Sequence, residues 1–250
     1  MRRTIIALSG RKNAGKNTVA TFMTKHYAGT RPESTDELVL ECSFADNLKQ
    51  FCINTLGLTH EQCYGSDEEK NSSTEYQWED ASFFLSWKFG DNYAGKLVAD
   101  GMSQDMLMHI FNKRLFITVD GHSMNYMKGY MTGREVMQIV GTDLMRQTFG
   151  NIWAKATVRA IKKAEKPLAI ITDNRFPNEI EAVLNEPNGY IIRLTRSPFG
   201  TEDVHPSESA LDDYDWNKER CFVLNNAEMN LEEQNEAVKP ILDQIWNGEQ

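Results

Sequence analysis

The chain has 250 residues, enough for one large domain or for a core domain carrying an insertion. Its 36 acidic and 27 basic side chains, a net charge of −9, argue against a general nucleic-acid binder, which needs a basic surface, and leave room only for a local basic pocket. No apolar run is long enough to span a membrane, and Met1-Arg2-Arg3-Thr4 leads into a strand without a signal peptide, so a cytoplasmic protein with small-molecule partners, no nucleic acid and no membrane is expected. The cysteines Cys42, Cys52, Cys63 and Cys221 lack the paired spacing of a zinc site; Cys42 and Cys52, in apolar surroundings, read as core thiols, and a reducing compartment is expected.

The first element is an apolar run, residues 4–9, read as a buried parallel strand. A helix over 15–28 follows, with Val19, Phe22, Met23 and Tyr27 on one face. Residues 29–37 are a polar loop. Residues 38–44 form a second strand, and 46–56 a second helix stopped by Gly57. The pattern then loosens. Residues 64–132, rich in polar runs and glycines, are read as an insertion between core segments 1–63 and 133–250. A strand is expected at Arg114–Val119, and the whole insertion is expected to serve as a lid or substrate-binding element.

Regularity returns at Thr132. Helices are predicted over 133–148 and 152–165, a very apolar strand over 168–172 ending in Asp173, and a helix over 177–186. Strands over 189–194 and 221–224 follow. Asn230 with Glu233 caps a closing helix that turns Leu231, Val238, Ile241, Leu242 and Ile245 inward, with Pro240 expected to bend or split it. Apolar strands alternating with helices predict an α/β fold, a parallel sheet covered by helices on both faces.

The segment Gly10-Arg11-Lys12-Asn13-Ala14-Gly15-Lys16-Asn17-Thr18 sits between the first strand and the first helix. That is the context of a phosphate-binding loop (P-loop), whose glycines bring backbone N–H groups against phosphate oxygens at a helix N-terminus. Gly10, Asn13, Ala14, Gly15, Lys16, Asn17 and Thr18 are therefore candidates to hold a nucleoside triphosphate. Lys16 reaches the outer phosphates, and Thr18 is the hydroxyl nearest Mg²⁺, since Asn17 stands where Ser or Thr is usual. Asp173 ends a strand, where a carboxylate can hold Mg²⁺ through water. Arg175, two residues on, carries a fork that suits a phosphate. Arg196 ends another strand and is placed to reach the same crevice. Lys16, Asp173 and Arg175 are the candidate catalytic residues. On the acceptor side stand Ala45, small enough for close approach, and Lys49. Arg134 and Gln138 share a helix face at i and i+4. Trp153 is either a base-stacking ring or a core tryptophan. His205 and Glu208 are either phosphate-side groups or a solvated cap.

Several segments together resemble the bacteriophage deoxynucleoside monophosphate kinases. They are Leu8 through Thr18, Phe44-Ala45-Asp46-Asn47-Leu48-Lys49, Met131 through Gln138, Gly141-Thr142-Asp143, Asp173 through Glu179, His205-Pro206-Ser207-Glu208 and Asn225-Asn226. The resemblance implies a P-loop kinase fold with ATP and Mg²⁺ as cofactors, and phosphorylation of deoxynucleoside monophosphates to diphosphates in the cytoplasm of an infected cell. Carried over by position, it assigns Lys16 and Thr18 to ATP and Mg²⁺, Asp173 and Arg175 to the reaction centre, and Arg134 and Gln138 to the acceptor. A homodimer is the assembly kept open. Two alternatives stand beside it: a P-loop kinase for another phosphorylated small molecule, such as phosphomevalonate, and a P-loop NTPase switch.

Overall fold

The structure, a computed structural model, describes residues 3–29, 38–77, 130–197 and 210–247. The polar loop after the first helix, the strand expected at 114–119, His205 and Glu208 lie outside the described residues. The chain divides into two compact units, one formed by Met1–Asn47 with Asn151–Gln250, the other by Leu48–Gly150.

The first unit is built on a sheet whose described strands are all parallel. These are β1 (Thr4–Ser9), β2 (Val39–Cys42), β5 (Leu168–Asn174), β6 (Gly189–Leu194) and β7 (Cys221–Leu224), in the order β2-β5-β1-β6-β7. β1 lies between β5 and β6 and is buried at every position. Strand alternation divides it between two cores. Ile6 and Leu8 join Ile170, Ile192 and Leu194 beneath α1 (Lys16–Gly29) and the closing helix, Leu231–Asn247. Ile5 and Ala7 join Ala169, Ile171 and Ile191 on the other face. There they meet Ala154 and Ile161 of the helix Ile152–Ala164 and Ile180 and Val183 of the helix Pro177–Leu184. The sheet is thus covered on both faces, as the apolar strands require.

The closing helix departs from expectation in two ways. It runs through Pro240 as one element. Pro240 removes the N–H that would bond the Glu236 carbonyl, but both residues are exposed, so water can take that carbonyl. Fully buried Val238 and Leu242 hold the helix on the sheet from the opposite side. Leu231, expected inward, is 57 % exposed, and the inward position at this end belongs to Gln234.

The second unit has its own small core around Cys52, Leu58, Cys63, Met131 and Val136. The helix Asp46–Leu56 enters it and ends at Gly57, whose φ is +69°. Two short helices follow, His60–Tyr64 and Asp67–Lys70, each opened by a reciprocal cap: Thr59 with Gln62, and Ser66 with Glu69. β3 (Ser73–Gln77) pairs antiparallel with β4 (Tyr130–Thr132). The helix expected over 133–148 is wound in three ways: α over Gly133–Gln138, π over Ile139–Arg146, and α over Gln147–Phe149. Gly141 lies in the π segment against Leu48, where an added Cβ would stand 2.3 Å from a Leu48 methyl. Hydrophobic spacing at 3.6 residues carries no sign of this wider winding.

All four cysteines are free thiols, with Cys52 and Cys63 fully buried. Burial pushes the Cys42 and Cys52 thiols up to about 12, so both remain protonated. Among the described residues no helix is long and apolar enough to cross a membrane.

Candidate active site

The parallel register aligns the carboxyl ends of the central strands. Ser9 of β1 is opposite Asn174 of β5 on one side and Arg193 of β6 on the other. Directly past Ser9 the chain enters the glycine loop. Gly10 has φ +156°, and an added Cβ would come 3.1 Å from the Leu194 carbonyl, so the loop leaves the sheet too close to β6 for a side chain. Asn13 and Gly15 also take positive φ, +60° and +97°. This sequence of right- and left-handed residues curls the backbone so that successive N–H groups converge. Ala14 is buried under the loop, and α1 begins at Lys16, so the N–H groups of a helix start adjoin the curl. Asn17 and Thr18, in the first turn of α1, are exposed.

Lys16 is 8 % exposed. Its Nζ donates to the Gly10 carbonyl at 2.7 Å and the Arg11 carbonyl at 2.8 Å. Burial lowers its pKa to about 8. The Arg175 guanidinium pushes the same way, Asp173 opposes and Arg193 adds to the lowering. These four side chains, contributed by β1's loop, the end of β5 and the end of β6, therefore share one electrostatic neighbourhood. Lys16, Asp173 and Arg175, singled out from sequence, are brought together.

Asp173 has a further task in the fold. Its carboxylate accepts from the Phe44 N–H at 2.6 Å and the Ala45 N–H at 3.0 Å, which fastens the turn after β2 to the end of β5. Ala45 is thereby held by its backbone beside Asp173. Arg175 is oriented through its backbone by Glu179, which is 1 % exposed and accepts from the Arg175 and Phe176 N–H groups at 2.8 and 3.1 Å. Glu179 thus caps the helix that follows through the Arg175 and Phe176 backbone N–H groups.

Two arginines stand at this end of the sheet, Arg193 within β6 and Arg196 two residues past it. Arg196 bonds the segment that follows β7. Its Nε donates to the Asn226 carbonyl at 3.1 Å and its Nη2 to the Met229 carbonyl. Arg193 belongs to the electrostatic neighbourhood of Lys16. Its Nη1 donates to Ser9 Oγ at 3.1 Å, its guanidinium lies 5.1 Å from the centre of the Trp216 ring, and burial holds its pKa below the usual range. Sequence reasoning does not single out Arg193. Its one signal is an arginine set among buried residues near a strand's carboxyl end, and alternation alone does not say which face it takes.

Trp153 is 6 % exposed, in the first turn of its helix. In the second unit, Lys49 Nζ lies 4.3 Å from the Tyr64 ring centre. Arg134 pairs with Asp67 at 2.6 Å with both side chains partly solvated, and Gln138 is half-buried.

A glycine loop thus meets the carboxyl edge of a parallel sheet beside Lys16, Asp173, Arg175 and Arg193. The family model for deoxynucleotide monophosphate kinase matches residues 4–235. A protein of Acanthamoeba polyphaga mimivirus, provisionally named a deoxynucleotide monophosphate kinase, is 25 % identical over 222 residues, covering 83 % of this chain and 81 % of that protein. The deoxynucleoside-5′-monophosphate kinase of Escherichia phage T5 is 34 % identical over 90 residues, 33 % of this chain and 36 % of that protein. The chain belongs to the deoxynucleotide monophosphate kinase family.

Proposed function

We propose that the protein transfers the γ-phosphoryl group of ATP to a deoxynucleoside monophosphate, releasing ADP and the deoxynucleoside diphosphate. The observation that carries this reading is the accumulation of positive charge at one point of a chain with net charge −9. Lys16, Arg175 and Arg193 stand near one another with Asp173 as the opposing carboxylate. Like charges held together raise the energy of the protein alone and are stabilised by a polyanion.

In this reading the amides of the glycine loop hold the donor phosphates and Lys16 draws charge from the transferring group. Arg175 bridges the phosphoryl group in transit and the acceptor phosphate. An oxygen of the acceptor phosphate attacks the γ-phosphorus as the bond to the β-phosphate oxygen breaks. A nucleotide phosphate is largely dianionic at neutral pH, so no general base is required. Arg196 serves the donor side indirectly, by holding the loop of Asn226 and Met229. Arg134, Gln138 and Lys49 supply acceptor recognition.

Mg²⁺ fits the residues present. The hydroxyl of Thr18 and the carboxylate of Asp173 are hard oxygen donors, the kind this ion takes. Thr18 would contribute its hydroxyl and Asp173 a water-mediated contact, since its oxygens already accept from two amides. The ion would neutralise charge on the bridging phosphates.

The test is ADP release by purified protein with ATP, Mg²⁺ and each deoxynucleoside monophosphate in turn. Strong stimulation by at least one monophosphate over slow basal hydrolysis is expected. Rapid hydrolysis indifferent to every monophosphate would support the switch reading instead.

A pH dependence follows from Lys16. Its pKa is lowered from 10.5 to about 8, so the ammonium form is lost as pH rises through about 8 rather than well above it. kcat/KM for ATP reports ionisations of the free enzyme. It should therefore be level below pH 8 and fall about tenfold per unit above it. In the ternary complex the phosphates favour the ammonium, so kcat should hold to higher pH. A kcat/KM profile flat to about pH 9.5 would remove Lys16 from the donor site.

A further inference from the structure

The Asn226 side chain lies at 0 % exposure between three segments. Its Nδ2 donates to the Ala14 carbonyl at 2.8 Å and to Gln234 Oε1 at 2.7 Å. Its Oδ1 accepts from the Arg196 N–H at 2.9 Å. The Ala14 carbonyl can only accept and the Arg196 N–H can only donate, so the partners themselves fix which way the amide faces. Gln234, 2 % exposed, also stands where a side chain on Gly15 would fall: a Cβ there would be 2.8 Å from Gln234 Oε1. The Arg196 guanidinium closes the bracket from behind through the Asn226 and Met229 carbonyls.

We propose that Asn226, set by Gln234, is a positioning residue for the peptide unit between Ala14 and Gly15. In a trans peptide the C=O of one residue is antiparallel to the N–H of the next, and the described chain has no cis peptide. Fastening the Ala14 carbonyl to Asn226 therefore aims the Gly15 N–H in the opposite direction, away from the Asn226 side chain. The +97° φ of Gly15 leaves this peptide without the stiffness a side chain would lend, so an outside bond has to fix its rotation. Gly15 in turn precedes Lys16, so the same bond sets where the lysine leaves the loop. The inference rests on the kinase reading only in taking a polyphosphate as the loop's ligand.

The experiment measures binding of ATP, inorganic tripolyphosphate and a deoxynucleoside monophosphate to the full-length protein by calorimetry. Asn226→Asp keeps the shape but turns an acceptor oxygen toward the Ala14 carbonyl, and the peptide must rotate. We expect ATP and tripolyphosphate to bind on the order of tenfold more weakly, the loss typical of one well-placed buried hydrogen bond, with monophosphate binding little changed. A purely structural role would lower the melting temperature and leave tripolyphosphate affinity per folded molecule intact, which overturns the proposal. If Asn226→Asp does not fold, Gln234→Met decides. It removes the amide that sets Asn226 while leaving every residue of the loop itself unchanged, and several-fold weaker tripolyphosphate binding is expected. Parental affinity in that folded variant would equally overturn the proposal. Because tripolyphosphate binding needs no turnover, a parent protein inactive on every monophosphate but binding tripolyphosphate leaves this inference standing while the acceptor assignment fails. A parent that binds neither ATP nor tripolyphosphate overturns both.

Discussion

Lys16→Ala is expected to lower kcat by on the order of a hundredfold or more, about 3 kcal/mol of transition-state stabilisation. Its ammonium is the long cationic group that grows out of the loop's own helix start. Charge developing on the transferring phosphoryl group would therefore lose its nearest preorganised partner. The fold should tolerate the change. Truncation leaves the Gly10 and Arg11 carbonyls without the Nζ donor. It also removes a buried ammonium whose pKa of about 8 shows that the folded protein disfavours its charge. The two effects oppose each other, so the melting temperature should move by only a few degrees. Steady-state kinetics beside a thermal melt checks both halves, and near-normal turnover in folded Lys16→Ala protein would remove the kinase assignment.

Arg175→Lys should lower turnover about a hundredfold while ATP affinity changes little. The substitution keeps the charge and the backbone N–H that Glu179 accepts, so the start of the following helix is undisturbed. What it removes is the planar fork that can bond two phosphate oxygens at once. Arginines that stabilise phosphoryl transfer contribute roughly a thousandfold or more, and a lysine recovers part of that by charge alone. Arg175→Met supplies an independent readout. Arg175 is the charge that does most to lower the Lys16 pKa after burial, so its neutralisation should move the alkaline limb of kcat/KM to higher pH. Unchanged turnover and an unmoved limb together would make Arg175 a bystander.

The elements of the sheet are legible in the sequence because each carries a local cause. β1, β5, β6 and β7 are short apolar runs between turn residues, and for the strands over 4–9, 189–194 and 221–224 the expected and observed bounds coincide. The helix Asp46–Leu56 ends where Gly57 takes a positive φ. The capping pairs Thr59/Gln62, Ser66/Glu69 and Thr132/Glu135 are equally legible in principle, since a reciprocal cap is a four-residue pattern. Sequence reasoning passes over all three, and for Ser66/Glu69 the reason is that residues 64–132 show no hydrophobic period to draw attention to a helix start. It places Leu231 inward for a different reason: helical spacing finds a face but does not say how far along the helix the sheet extends.

The sequence by itself determined the glycine loop, its strand-loop-helix setting and the carboxylate and guanidinium at the end of β5, because these depend on residues close together in the chain. Only the tertiary structure decided that Arg193 stands in the neighbourhood of Lys16, since that follows from the pairing of Ser9 with Arg193 across β1 and β6. It alone gave Asp173 the turn after β2 to hold, through bonds spanning 129 and 128 residues. It alone joined Asn226 to Ala14, 212 residues away. Long-range hydrogen bonds leave no local trace: an asparagine after a strand looks the same whether it meets water or a phosphate loop, and the difference is made by the register and packing that bring distant backbone groups within about 3 Å.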